Sequence, residues 1–239
     1  MITLIGAVFL GFAVEALAGF GATVITLAVA SQAMSVDSIL AAFLPVNLML
    51  STYLVIRYRR DIDAAYLVRR VLPWMLPGVA LGRWWANAGG PDLVRTTFAY
   101  FVTSLAAVEL YSQFRAKPNR PLSAGPAAAA IAGSGVVHGM FACGGPLLVY
   151  AMSREITEKS SLRATLSAVW LTMNTLVVVT LAVAGEIGTA SLTTSGLLLL
   201  PLFAGATVGE WAHRRLTLHR FRTVVFGLLF VAGALLLLR

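Results

Sequence analysis

The sequence holds a single cysteine, Cys143. That excludes an internal disulfide and any metal site built from several cysteines. It also lacks a His/Glu metal spacing, a Ser/His pair at credible spacing and a second thiol, so an intramembrane enzyme ranks last and no cofactor is expected. Charge is scarce too. Asp, Glu, Lys and Arg make up 12% of the 239 residues, about half the roughly 25% usual in soluble proteins. So few charges cannot cover a soluble surface when 59% of residues are hydrophobic and the mean hydropathy is +0.84. This excludes a disordered chain, a nucleic-acid reader and an ordinary cytosolic enzyme. What is present, apolar sequence in long runs, predicts an all-α polytopic membrane protein whose surroundings are the lipid bilayer.

Eighteen Lys and Arg against ten Asp and Glu give a net charge of +8. The basic residues cluster in short gaps between apolar runs, as the positive-inside rule predicts, so most are read as topology signals. Ala16-Leu17-Ala18 resembles a signal-peptidase site. No basic residue precedes that apolar stretch and Glu15 interrupts it, so a cleaved signal peptide is not expected.

The two halves of the sequence repeat. At an offset of 123, Gly21 meets Gly144, Ser38 meets Ser161, Ala41 meets Ala164 and Val46 meets Val169. Further on the offset is 127. Gly78 then meets Gly205, Gly82 meets Gly209, Trp84 meets Trp211, and Arg95-Thr96 meets Arg222-Thr223. The expected division is a first membrane repeat at 1–113, a cytoplasmic linker at 114–125 rich in Pro and positive charge, and a second repeat at 126–239. Each copy has one interrupted apolar run followed by three cleaner ones. The clean runs cover about 38–56, 71–88 and 96–113, then 163–184, 195–211 and 223–238. The interrupted runs, 3–34 and 126–153, each read as two helical pieces joined at a glycine bend, with pieces too short to span a hydrocarbon core that needs about 20 helical residues. Pro146 suits the first turn of a new helix.

The distribution of charge separates two topologies. If each interrupted run is a re-entrant hairpin, every Lys/Arg-rich gap falls on the cytoplasmic side and the poor gaps, 31–37, 83–95 (Arg83 and Arg95 alone) and 185–194, fall outside. Three crossings then remain per copy, and an odd number makes the two repeats inverted. Eight full spans with parallel repeats are the rival arrangement.

The stretch Ala18-Gly-Phe-Gly-Ala22, with Ser38 to Asn47 after it, resembles the first repeat of the sulfite exporter TauE/SafE family. The stretch from Gly135 to Pro146 and the paired Gly-x-x-x-Gly segments are similar as well, so the resemblance covers nearly the whole chain. It implies a multi-pass permease of the bacterial inner membrane for sulfite, sulfonates such as sulfoacetate, or related small organosulfur anions. The first copy reads Gly-Phe-Gly-Ala where a run of glycines is common in the family, and Thr23 stands where the second copy has Pro146.

A sulfite or sulfonate group needs hydrogen-bond donors and positive potential, and a helix N-terminus supplies both. Two glycine bends that each start a half-helix would point two such ends at one site. The expected substrate-binding residues are Gly19, Phe20, Gly21, Ala22 and Thr23 from copy one, with Cys143, Gly144, Gly145 and Pro146 from copy two. Pro146 lacks an N–H and shapes the turn. Close helix packing is the competing role for the glycines. Glu15 and His138 are equivalent under the 123 offset, each six residues before the matched glycine. An ionisable group at membrane depth costs on the order of 3 kcal/mol on insertion scales, so both are candidates for proton coupling, and His138 for anion binding as well; the competing roles are a protonated Glu15 hydrogen-bonded to backbone and a neutral His138 bonded between helices. Asn47, Trp170 and Asn174 lie in the clean spans that follow, where the amides either donate to the anion or join helices by hydrogen bonds. Arg83 either lines an entry path or snorkels to the interface. Two functions stay open: a carrier working by alternating access, and an uncoupled anion channel. A homo-oligomer is compatible with either.

Overall fold

The computed structural model describes residues 2–18, 21–112, 122–213, 226–227, 229–231, 233–235 and 237–238. Among these residues there is helix and no strand. Both interrupted runs are broken. The first forms α1 (Ile2–Ala18) and α2 (Ala22–Ala30); the second forms α6 (Ala124–Phe141) and α7 (Gly145–Met152). Gly21 stands at φ +113°, outside what an L side chain adopts at ease, and Ala142 stands in the left-handed region at φ +50°. At 1.5 Å per residue, the nine residues of α2 and the eight of α7 reach less than half of a roughly 30 Å core.

Each short piece folds back along the long piece before it. The amide of Ala22 meets Glu15, and one turn on Thr26 Oγ1 donates to the carbonyl of Ala7 at 3.4 Å. Gly144 lies against Ser134, and a Cβ at Gly133 would touch Leu147. Both interrupted runs are therefore helical hairpins.

The remaining elements are α3 (Val36–Arg57), α4 (Ala64–Tyr66), a π-helical turn (Leu67–Val71), α5 (Leu72–Ser112), α8 (Lys159–Val183) and α9 (Thr189–His213). Asp37 in the first turn of α3 and Arg57 in its last complement the helix dipole. Asp63 caps α4 by accepting the Tyr66 amide at 2.8 Å, and its own amide donates to Thr165 Oγ1 at 2.9 Å. The gap expected between the runs 71–88 and 96–113 is narrower than the sequence suggests. Helix continues on both sides and the break is confined to Gly90, at φ 71° and ψ 170°. Helices α8 and α9 begin four and six residues before their apolar runs, because polar residues such as Ser160 and Thr189 carry the first turns. Of the final run, 226–227, 229–231 and 233–235 are helical, while most of the linker and the basic gap at 214–222 lie outside the described residues. Among the described residues three helices are long and apolar enough to cross a membrane: Val36–Arg57, Ser160–Val183 and Thr189–Gly209. Trp74, Trp84, Trp85 and Trp211 are exposed, as interfacial tryptophans are.

The chain forms two compact units, and each draws on both halves of the sequence. The first unit comprises 1–39, 89–118 and 197–239; the second comprises 40–88 and 119–196. The same helix pairing occurs inside each. In the second unit Gly78 and Gly82 of α5 press on the carbonyls of Ala132 and Val136 in α6. In the first, Gly205 and Gly209 of α9 press on the carbonyls of Phe9 and Ala13 in α1. The glycine pairs differ by 127 and their partners by 123, the two offsets of the sequence repeat. Glycine is required at all four positions, since a Cβ would overlap backbone oxygen.

Candidate functional site

Helix α6 ends in one left-handed residue. The Ala142 amide donates to the His138 carbonyl at 2.7 Å, which closes the helix and turns the chain into Cys143 and Gly144. Helix α7 then starts at Gly145, with Pro146 in its first turn and no side chain capping it. Ser134 Oγ donates to the Gly144 carbonyl at 2.8 Å and stitches the hairpin shut. A Cβ on Gly144 would strike the Ser134 carbonyl and hydroxyl, so a glycine is required here for closeness rather than for an unusual φ. Cys143 is buried within this bend.

His138 sits one turn back from the bend, 1% exposed. Its ring stacks on Trp170, with centroids 5.7 Å apart and planes within 10°. Asn174 stands beside the ring as a hydrogen-bonding neighbour, yet neither ring nitrogen has a partner in formed hydrogen-bond geometry. Asn174 Nδ2 donates to Asn47 Oδ1 at 2.8 Å, and Ser51 Oγ donates to the same oxygen at a long 3.4 Å. Asn174 Oδ1 is left without a partner. Asn47, Ser51, Ser134 and Asn174 are all buried. Five buried side-chain atoms among the described residues lack a partner, and three of them are His138 Nδ1, His138 Nε2 and Asn174 Oδ1. Each such atom costs about 1–3 kcal/mol where nothing satisfies it. Three of the five lie on two adjacent side chains, His138 and Asn174, which concentrates unmet hydrogen-bonding capacity at this one place.

The equivalent bend in copy one is filled differently. Glu15 Oε2 accepts the Ala22 amide at 3.1 Å, at the start of α2. Gly21 holds the turn, and Thr23 is buried in the first turn of the half-helix. Gly19 and Phe20 lie outside the described residues. The expected site residues thus fall into two groups. His138, Asn47, Trp170 and Asn174 come together beside Gly144, with Cys143, Gly145 and Pro146 at the adjoining bend, all in the second unit. Glu15, Gly21, Ala22 and Thr23 come together in the first unit.

Arg83 and Thr172 are engaged elsewhere. Arg83 donates through Nε and Nη2 to Asn87 Oδ1, at 3.0 and 2.6 Å, and Thr172 Oγ1 bonds back to the Ala168 carbonyl. Ser134 and Ser51 are the residues that sequence reasoning passed over or left at the margin. Ser134 lies four residues before His138, one helical turn away, and that spacing within an apolar run was the available signal.

The profile of the family described as Sulfite exporter TauE/SafE matches residues 4–236. The chain belongs to the sulfite exporter TauE/SafE family. This is a family of membrane transporters, in keeping with the apolar helices and with the expectation of transport rather than catalysis. No curated protein and no solved structure matches the chain.

Proposed function

We propose that this TauE/SafE member carries a small sulfur-containing anion, sulfite or an organosulfonate such as sulfoacetate, across the bacterial inner membrane by alternating access, coupled to a proton. The observation that carries this reading is the buried, unpartnered imidazole of His138 beside the uncapped start of α7. A protonated His138 offers N–H groups and positive charge, and the first amides of α7 offer more of both. Asn174 Oδ1 is an acceptor, so it suits the ring's proton and not the anion. One side chain thereby ties the anion to the proton: an anion binds the imidazolium better than the neutral ring, so binding draws a proton in. Asn47, which also accepts from Ser51, holds Asn174 in place, and Trp170 fixes the plane of the ring.

The architecture that goes with this reading is two inverted repeats, 1–113 and 126–239, joined by a cytoplasmic linker. Each is a re-entrant hairpin followed by three transmembrane helices. The reciprocal packing of α5 on α6 and of α9 on α1, at the offsets of the repeat, supports it. So does the placement of Lys and Arg in alternate gaps. The partners are the bilayer, the anion and, in an oligomer, further copies of the chain.

Flux in proteoliposomes tests the proposal. Labelled sulfite uptake is expected to saturate, to follow an imposed pH gradient and to be inhibited by sulfoacetate more than by acetate. Unsaturable currents indifferent to the pH gradient would make the protein a channel. No flux of any sulfur anion would end the substrate assignment.

A further inference from the structure

The two half-helix starts are equivalent in sequence but are filled unequally. In copy one a carboxylate, Glu15 Oε2, accepts the first amide of α2 at 3.1 Å. In copy two the equivalent residue is His138; its neutral ring could accept an amide, yet both ring nitrogens are without a partner, so no hydrogen bond joins it to the first amide of α7, that of Gly145. The pairs match residue for residue: Glu15 with His138, Ala22 with Gly145, and seven positions from side chain to amide in both. Burial sharpens the contrast. His138 is 1% exposed with both ring nitrogens unpartnered.

We infer that Glu15 is a tethered anion. It permanently occupies the first half-helix start, and the chain consequently has one site for a diffusible anion, at the start of α7, rather than two. The carboxylate does for α2 what a bound solute does for α7: it satisfies an end amide and lies at the positive end of the helix dipole. Two equivalent open ends would bind two anions. One end closed by the chain itself leaves a carrier with one, and leaves the hairpin of copy one in a single, filled state throughout the cycle. Glu15 is then a positioning residue for α2, while His138 alone answers to the substrate. This rests on the proposed anion site for the stoichiometry, but not for the state of α2.

Chemical rescue separates the two. Glu15→Ala removes the tethered carboxylate and leaves room for formate. In purified protein, Glu15→Ala is expected to lower the thermal midpoint by about 2–4 °C, the shift produced by losing one such contact in a chain of this size. Formate should recover at least half of that shift, chloride should not, and formate should leave the wild type unmoved. Calorimetry should count one sulfite per wild-type chain and a second anion, formate, in Glu15→Ala. Glu15→Gln, which keeps shape without charge, should show the loss without the rescue. If formate and chloride act alike on Glu15→Ala, or if no second anion is counted, the tethered-anion reading is overturned. If Glu15→Ala does not fold, a wild type that binds two sulfite ions overturns the reading, and one that binds a single ion while Glu15→Gln loses stability supports it. A wild type that binds no sulfur anion while Glu15→Ala is rescued by formate would sink the substrate site and leave the reading of Glu15 standing.

Discussion

His138→Ala is expected to weaken sulfite binding by about 10- to 100-fold, the worth of a hydrogen bond to a charged group expressed as affinity. The loss should come with a second signature. In the wild type, affinity should fall as pH rises, because the anion binds the imidazolium and deprotonation removes the charge that holds it. Above the pKa of the unliganded ring the dissociation constant should rise by about tenfold per pH unit. In His138→Ala that slope should vanish and leave a weak, flat affinity supplied by the amides of α7. Asn174→Leu removes the acceptor beside the ring and should reduce affinity less, with the slope kept. Isothermal titration at several pH values reads all three. A steep slope that survives in His138→Ala would move the coupling to another group.

The second large effect concerns folding. Gly82→Leu places a side chain where the Val136 carbonyl stands, in the packed seam between α5 and α6. Overpacking a core costs about 1–3 kcal/mol where side chains can yield, and backbone oxygen yields less. A fall of about 5–10 °C in the thermal midpoint is expected, read by fluorescence on detergent-purified protein. Gly205→Leu meets the Phe9 carbonyl in the other unit and should cost about as much. Gly196→Leu is the control, with open space around its would-be Cβ and an expected change near zero. Equal stability of all three proteins would mean that the shared Gly-x-x-x-Gly pattern does not set the packing.

Much of this could be read from the residues in advance because each feature has a local cause. Gly21 in a positive-φ turn and Pro146 in a first helical turn break the two runs where the sequence places the bends. The repeat offsets reappear in the contacts because Gly78 and Gly205 are both needed for close approach. Other features depend on distance along the chain and were not legible. Nothing local says that Asn174 will bond to Asn47, 127 residues away, or that Trp170 will stack on His138. The symmetric picture of two open half-helix starts also came from sequence equivalence alone. A carboxylate accepts from an amide while charged and an imidazole only while neutral, and only the fold-back of α2 onto Glu15 shows that one of the two is engaged and the other not. The start of α8 at Lys159 was hidden for a simpler reason: hydropathy does not register a polar first turn.

Nitrogen-15 NMR of histidine-labelled protein tests the central claim most directly. Titration with sulfite is expected to move both ring nitrogens of His138 to the imidazolium position, saturating at one anion per chain, with the resonances assigned by their absence from His138→Ala. Sulfite binding in the same sample with the His138 nitrogens unmoved would contradict the account.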